Sequence, residues 1–290
     1  MIKLCAFADE GGFTIQEQID VLKKNGISKI ELRSVSGKNV SNFTDEEALS
    51  YYDALSKNGI EVFSIGSPLG KVDLCDADSH LQTVRRVAKI AKIFKAKRVR
   101  VFSFYKAFDD KDAVFTYLTK MADIAKEYDL IFCHENEKDI YGDIVDRVLE
   151  IKNQNIDGLR FVFDPANYIQ CGEFIPSALD KTFDFTDYFH VKDVDAKSGA
   201  IVPAGYGDGC FDTIMQKVID SGKDFVFTLE PHLKVFSGYS TIDNTELKNK
   251  FVYSTNEESF CASADAFKAV LIKNGFVEVT LQDGTKGWQL

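Results

Sequence analysis

Apolar and polar residues alternate in blocks along this chain of 290 residues. Short apolar runs that are bounded by charged residues or glycine indicate strands buried on both faces. Such runs predict strands at residues 2–8, 27–32, 60–65, 98–105, 130–137, 159–164, 186–191 and 224–230. Apolar residues at helical spacing predict helices between them and after the last one, at residues 14–25, 44–58, 78–94, 110–128, 141–153, 174–179, 211–221 and 259–274.

This alternation of strand and helix predicts a parallel sheet, and eight such units predict a closed (β/α)8 barrel, the α/β fold known as the TIM barrel. An open doubly wound sheet is the alternative, but the first strand is followed by Asp9-Glu-Gly-Gly12 and not by the GxGxxG signature. A turn is predicted at residues 66–68 from Gly66-Ser-Pro68. We expect one domain over residues 1–290, with residues 234–290 as a C-terminal extension that packs on the barrel through a helix and a tail at 276–290.

Four consecutive predicted strands, the fifth to the eighth, end in a residue that can bind a metal ion. These residues are Glu135, Asp164, His190 and Glu230. In a barrel of this type the carboxyl ends of all strands meet on one face, where active sites form. Ionisable groups at buried strand ends need compensation, and a metal ion supplies it. Three carboxylates and one imidazole predict a site for one divalent ion, which can be Mn²⁺, Mg²⁺, Co²⁺ or Zn²⁺.

The fifth strand ends in four polar residues, which side-chain alternation divides between two faces. Glu135 and Glu137 share one face, whereas His134 and the asparagine between the two glutamates take the other. His134 is therefore predicted to lie in the core or behind the ligands. Glu137 is predicted either to bind substrate or to pair with Lys138 or Lys192.

Composition narrows the classes of function. A formal net charge of -10 argues against a nucleic-acid-binding surface. The basic stretch at residues 95–100 is predicted to be a solvated helix end. The six cysteines form no CxxC pair, so neither a disulfide framework nor a zinc finger is expected. No apolar run approaches the roughly 18 residues of a membrane span, and the N-terminus is not typical of a signal peptide, so the cytoplasm is the expected location.

Four local strings carry a resemblance to a known family. They are Phe163-Asp-Pro165, His190-Val-Lys-Asp193, Gly205-Tyr-Gly-Asp-Gly-Cys-Phe211 and Phe227-Thr-Leu-Glu-Pro231. In this order and spacing they resemble motifs of the xylose-isomerase-like TIM-barrel superfamily of sugar isomerases and epimerases, which shares its fold with endonuclease IV. The resemblance covers about residues 1–233.

The resemblance implies a metal-dependent isomerase or epimerase that acts on a small carbohydrate. In the epimerases of this superfamily two metal-bound glutamates also move protons on opposite faces of a ketose. By resemblance, Glu135 and Glu230 would be the acid/base pair, removing a proton next to a carbonyl through an enediolate intermediate. Self-association into a homo-oligomer is also expected from the family.

The sequence departs from many relatives at two places. Asn167 stands where they have a histidine, and it can hydrogen-bond a substrate hydroxyl or a metal-bound water but cannot carry a proton near neutral pH. Several ketose epimerases have an arginine where Ala196 stands here, and Lys192 is predicted to supply that cation instead. Glu31 and His232 are each either structural or substrate-binding residues.

These departures leave other functions open. They place the chain nearer to inosose-dehydratase-like relatives, so a metal-dependent keto-sugar or inosose dehydratase, a lyase, is the main alternative. A non-catalytic sugar-binding barrel ranks below both enzymes, because binding alone does not require four ligand-type residues on adjacent strands. Endonuclease IV-like activity would need a three-metal cluster rich in histidine, whereas this acidic chain has four histidines in total.

Overall fold

The computed structural model describes residues 1–236 and 250–290. Eight parallel strands form its barrel: β1 (Ile2–Ala6), β2 (Lys29–Leu32), β3 (Glu61–Leu69), β4 (Arg98–Val101), β5 (Ile131–Glu135), β6 (Leu159–Phe163), β7 (Thr186–Val191) and β8 (Phe225–Leu229). Each strand pairs with the next one, and β8 returns to β1 with Ile2 opposite Phe225 and Ala6 opposite Leu229. The sheet is therefore closed, which confirms the predicted (β/α)8 barrel.

Helices surround the barrel: α1 (Ile15–Lys24), α2 (Asp45–Lys57), α3 (Ala77–Ile93), α4 (Lys111–Glu127), α5 (Val145–Asn153), α6 (Pro165–Gln170), α7 (Ile175–Thr182), α8 (Phe211–Ser221) and α9 (Asn256–Lys273). Thr14 and Thr44 form capping boxes at the starts of α1 and α2, which fix where each helix begins. The helices pack their apolar residues against the strands in one continuous core. Among the described helices, none combines the length and the apolarity that crossing a bilayer requires.

Two boundaries differ from the predictions and affect the barrel mouth. The turn predicted at residues 66–68 is wrong, because β3 continues to Leu69. Its pairing with β4 shifts register between Ile65 and Leu69, and Pro68 lies in this irregular part, where a missing N–H is tolerated. One short helix was predicted after β6, but two are present. Asp164 caps the first of them, with Pro165 at its first position.

The C-terminal tail predicted at residues 276–290 is instead a β-hairpin. Its strands, β9 (Val277–Thr280) and β10 (Lys286–Gln289), pair antiparallel. Trp288 of β10 lies opposite Ile2 of β1 and is buried. Helix α9 buries Phe260 and Phe267 in the core. The described part of the 234–290 extension thus packs on the barrel, while residues 237–249 lie outside the described residues.

We expect the hairpin to stabilise the barrel where β1 begins. Replacing Trp288 by alanine should lower the free energy of unfolding by about 3–5 kcal/mol, because a buried indole is lost. Val277, which is exposed on the same hairpin, provides a control whose replacement by alanine should change stability by about 0.5 kcal/mol or less. Urea unfolding followed by circular dichroism measures both. Equal midpoints for the two variants would contradict a stabilising role for the hairpin.

Candidate metal and substrate site

The four residues predicted from strand ends lie together at the carboxyl end of the barrel. Glu135 ends β5 and His190 lies in β7, while Asp164 and Glu230 directly follow β6 and β8. All four are buried, and one potential ligand atom from each lies within 4.8 Å of the others. His190 Nδ1 is 2.9 Å from Glu135 Oε1, 3.3 Å from Glu230 Oε2 and 3.8 Å from Asp164 Oδ2.

Two asparagines fix the carboxylates of β5 and β6. The Asn136 side chain donates to the carbonyl of Asp164 and accepts from its N–H, each at 2.9 Å, so the two strand ends are held together. Asp164 Oδ1 accepts the backbone N–H of Asn167 as the cap of α6. Asn167 Nδ2 lies 3.2 Å from Glu135 Oε1, to which it donates. Asn167, predicted to bind substrate, is therefore in contact with a proposed ligand.

The Glu31 carboxylate contacts the side of the His190 imidazole that faces away from the candidate ligands. Glu31 Oε2 lies 3.3 Å from His190 Nε2, on the opposite side of the ring from Glu135. Glu31 Oε1 accepts hydrogen bonds from Tyr188 and from Ser64. When a metal ion binds Nδ1, a carboxylate in this position keeps the remaining proton on Nε2 and fixes the orientation of the ring. The geometry gives Glu31 an orienting role, and substrate contact stays a prediction.

The segment His190-Val-Lys-Asp193 at the end of β7 places a cation in the site and a carboxylate that holds the following loop. Lys192 is buried, and its ammonium lies 2.9 Å from Asp164 Oδ2 and 3.2 Å from Glu230 Oε2. The next residue, Asp193, accepts backbone N–H bonds with its carboxylate from Val194, Gly205, Gly207 and Gly209. A Cβ at Gly207 would lie 2.4 Å from Asp193 Oδ1, so only glycine allows this close approach.

Arg33, whose role was not predicted from the sequence, is buried beside the site. Its guanidinium donates to both oxygens of Asp9, to Glu10 Oε1 at 2.9 Å and to Glu230 Oε1 at 3.3 Å. The position of Arg33 directly after a predicted strand is the signal in the sequence that could have marked it as a site residue. That position alone does not indicate that its side chain points into the barrel.

Arg100 corrects the prediction that residues 95–100 form a solvated helix end. It lies in β4 and is 4% exposed, with NH1 3.1 Å from Glu135 Oε2 and 3.6 Å from Glu230 Oε1. Side chains two apart on a strand share a face, so the spacing of Arg98 and Arg100 was the signal that could have placed both inside the barrel. Because residues 95–100 contain several lysines and arginines, the prediction followed composition rather than the alternation of Arg98 and Arg100 along the predicted strand.

The remaining predicted residues lie around this centre. Glu137 is half-buried and pairs with Lys71 at 3.0 Å, a partner that was not anticipated. His232 stacks on Phe236, and its backbone N–H donates to Glu10. His134 faces away and hydrogen-bonds Ser103 through Nε2, as the alternation argument predicts.

Electrostatics distinguish the three carboxylates of the candidate ligand set. Burial raises the pKa of Asp164 to about 7, although Lys192 opposes this shift. Burial would also raise the pKa of Glu135, but the charges of His190 and Arg100 outweigh it and lower the pKa to about 2. Lys192 and His190 likewise outweigh burial at Glu230 and hold its pKa well below the usual value. Glu135 and Glu230 are therefore ionised at neutral pH.

Acidic groups outnumber cations in this part of the barrel. The buried carboxyl groups are Asp9, Glu10, Glu31, Glu135, Asp164 and Glu230, against the permanent cations Arg33, Arg100 and Lys192 and the imidazole of His190. Burial raises the pKa of Glu10 to about 8, so that group is mostly protonated at neutral pH and the excess lies with the other carboxylates. Uncompensated buried charge is costly, and a divalent ion would offset the excess. Three carboxylates and an imidazole nitrogen form a donor set that fits Mn²⁺, Mg²⁺, Co²⁺ or Zn²⁺, and Glu31 orients the imidazole from its other side.

A second acidic group, Glu10 with Glu230 and His232, also lies close enough together to hold a cation. Arg33 already contacts the facing oxygens of both glutamates. A guanidinium therefore supplies the positive charge there.

The fold is a (β/α)8 barrel, and a buried cluster of three carboxylates and one histidine lies at the carboxyl ends of its strands. The chain belongs to the xylose isomerase-like TIM barrel family, whose sequence profile matches residues 19–249. A search of curated protein sequences finds no match.

Several solved structures share the fold. The probable 3-DHS dehydratase AsbF of Bacillus anthracis superposes with a TM-score of 0.72 at 15% identity, covering 92% of this chain and 99% of AsbF. D-psicose 3-epimerase of Clostridium cellulolyticum H10 gives 0.73 at 12% identity, with 94% and 99% covered. The IOLI protein, solved with a zinc atom, gives 0.71 at 16% identity, with 94% and 99% covered. TM-scores of 0.71–0.73 over nearly the whole of each chain establish a common fold.

We expect Asp193 to be essential for the loop that follows β7. Replacing it by alanine removes the acceptor for several backbone N–H groups and should cost at least about 3 kcal/mol of stability. Asp195, two residues further on, bonds Ser198 and Lys250 at the surface, so its replacement by alanine should cost about 1 kcal/mol or less. Thermal unfolding followed by circular dichroism compares the two. Similar melting temperatures would show that the loop does not depend on Asp193.

Proposed function

We propose that this protein is a divalent-metal-dependent enzyme that removes a proton next to the carbonyl of a small carbohydrate, as a sugar isomerase or epimerase. The convergence of Glu135, Asp164, His190 and Glu230 on one buried point carries the proposal. A bound divalent ion would polarise the carbonyl as a Lewis acid and so acidify the neighbouring C–H bond. The family membership and the epimerases that share the fold support this reading.

Glu135 and Glu230 are the proposed proton carriers. They come from β5 and from the end of β8, on either side of His190, whose Nδ1 lies within 3.3 Å of an oxygen of each. Their lowered pKa values keep both in the basic form needed to accept a proton. A substrate carbon held between them would lose its proton to one carboxylate. In an isomerase that carboxyl, now protonated, would return the proton to the neighbouring carbon, whereas an epimerase requires the other carboxyl to enter the step protonated and donate from the opposite face.

The surrounding residues would hold the substrate and the carriers in place. Asn167 binds Glu135 Oε1 and can also reach a substrate hydroxyl. Lys192 lies next to Asp164 and Glu230, where its ammonium can donate to a substrate oxygen. Glu137 and His232 complete the predicted set of substrate-binding residues, and Phe7 packs edge-on against the His190 ring.

A lyase that eliminates water from a keto-sugar or inosose is the second candidate, and Lys192 favours it. Elimination begins with the same proton abstraction, but the departing hydroxyl then needs a proton donor. A buried ammonium 3.2 Å from Glu230 Oε2 is placed to donate that proton. The same cation makes Glu230 difficult to protonate, as a two-base epimerase would require. The dehydratase AsbF shares the fold.

Metal binding tests the common basis of both candidates. We expect the purified protein to bind one divalent ion per chain in calorimetric titration with Mn²⁺, and Asp164→Asn to abolish that binding. Glu31→Gln should weaken it by about 10- to 100-fold, because the carboxylate behind His190 is lost. Glu137→Gln is the matched control, since Glu137 contacts Lys71 and not His190, and its affinity should equal that of the natural chain. Undiminished binding by Asp164→Asn would refute the assigned site.

Turnover in D₂O tests the reaction. The Mn²⁺-loaded protein should act on a member of a panel of ketoses, keto-sugars and inososes, followed by NMR and mass spectrometry. Deuterium at a retained carbon identifies an isomerase or epimerase, whereas a product lighter by water identifies the lyase. Glu135→Gln and Glu230→Gln should each reduce turnover by at least about 100-fold, as expected for loss of a general acid or base.

Near-normal turnover by either glutamine variant would remove that glutamate from the proton-transfer step. Circular dichroism and Mn²⁺ titration of each variant separate loss of chemistry from loss of fold or of metal.

A further inference from the structure

The barrel mouth has two chemically different halves. The candidate metal ligands all come from β5 to β8. The ends of β1 to β4 instead combine the acidic residues Asp9, Glu10 and Glu31 with cations and aromatic rings: Phe7, Arg33, Lys71, Arg100 and Phe102. A substrate held by the ligands of β5 to β8, the metal half, would extend toward these cations and rings.

The rings hold the two guanidiniums in place. Phe7 lies between them, with its ring centroid 4.4 Å from the Arg33 Cζ and 4.9 Å from the Arg100 Cζ. Phe102 contacts Arg100 as well, at 5.0 Å. Stacking on ring faces leaves the edges of a guanidinium, which carry its N–H groups, available for hydrogen bonds in its own plane.

The two arginines differ in how far protein partners use those N–H groups. Arg33 donates from Nε, NH1 and NH2 to three carboxylates, so all three of its nitrogens are engaged. Arg100 NH1 lies 3.1 Å from Glu135 and 3.6 Å from Glu230, and its NH2 reaches the Gly66 carbonyl at 3.5 Å. Arg100 Nε is buried and has no hydrogen-bond partner. A buried charged donor without an acceptor is costly, so an acceptor from outside the chain is expected.

We propose that Arg100 binds an anionic group of the substrate, a carboxylate or a phosphate, beside Glu135 and Glu230. This inference rests on the proposed function, because it assumes that the metal half binds the carbonyl end. A guanidinium edge matches the paired oxygens of either anion. Its contact with Glu135 Oε2 uses the oxygen that does not face His190, so Arg100 can hold the glutamate and the anion together.

Three matched polyols test the proposal by calorimetric titration of the Mn²⁺-loaded protein: glucitol, gluconate and glucitol 6-phosphate. They share a six-carbon polyol chain, and the last two add a carboxylate or a phosphate. At least one of the anionic ligands should bind about 10-fold or more tightly than glucitol, as expected for a charged hydrogen-bonded pair. The anionic ligand whose affinity exceeds that of glucitol by the larger factor identifies which anion the site prefers.

Arg100→Met should remove this advantage, whereas Arg100→Lys should keep part of it. Arg98→Met is the matched control, since Arg98 lies two residues earlier on the same strand but pairs with Asp187, and the advantage should persist there. An advantage that survives in Arg100→Met would mean that the metal itself chelates the anion, and would overturn the proposal. Equal binding of all three polyols would overturn it too.

The Mn²⁺ titration that precedes each measurement keeps the two claims separate. Absence of Mn²⁺ binding would remove the proposed function. Normal Mn²⁺ binding without a preference for the anionic polyols would remove only the role of Arg100. Folding of each variant is checked by its retained Mn²⁺ stoichiometry.

Discussion

The burial of more acidic than basic groups at one end of a closed barrel is the constraint on which the site depends. Carboxylates at strand ends lie where water is largely excluded, so each needs a cation or a donor. Arg33, Arg100 and Lys192 meet part of this need. The negative charge that remains on the carboxylates around His190 is the physical reason to expect a divalent ion there.

The scaffold around this centre restricts its freedom. Tyr188 and Ser64 hold Glu31, which in turn holds the Nε2 side of the His190 ring, so a chain of hydrogen bonds directs Nδ1 toward the candidate ligands. The Asp193 carboxylate holds the following loop by accepting hydrogen bonds from backbone N–H groups of that loop. Preorganised groups of this kind lower the cost of assembling a reactive geometry after substrate binds.

The sequence predicts the barrel and the position of the acidic residues because both depend on local pattern. Apolar runs that end in charge mark strands and their carboxyl ends, and parallel topology then brings Glu135 and Glu230 together. Arg33 and Arg100 were not predicted, since a cation inside a barrel depends on partners distant in sequence. The turn predicted from Pro68 is wrong for a similar reason, because the irregular strand pairing that accommodates this proline is a property of the closed sheet. The hairpin around Trp288 is short and mostly polar, so its docking depends on the tertiary fold.

The central claim is that β5 to β8 together hold one divalent ion. A crystal of the protein grown with Mn²⁺, with diffraction recorded at the manganese absorption edge, tests it most directly. The account predicts one anomalous peak at bonding distance, about 2.0–2.2 Å, from oxygens of Glu135, Asp164 and Glu230 and from Nδ1 of His190. No peak at that point, or a peak only beside Glu10 and His232, would contradict it.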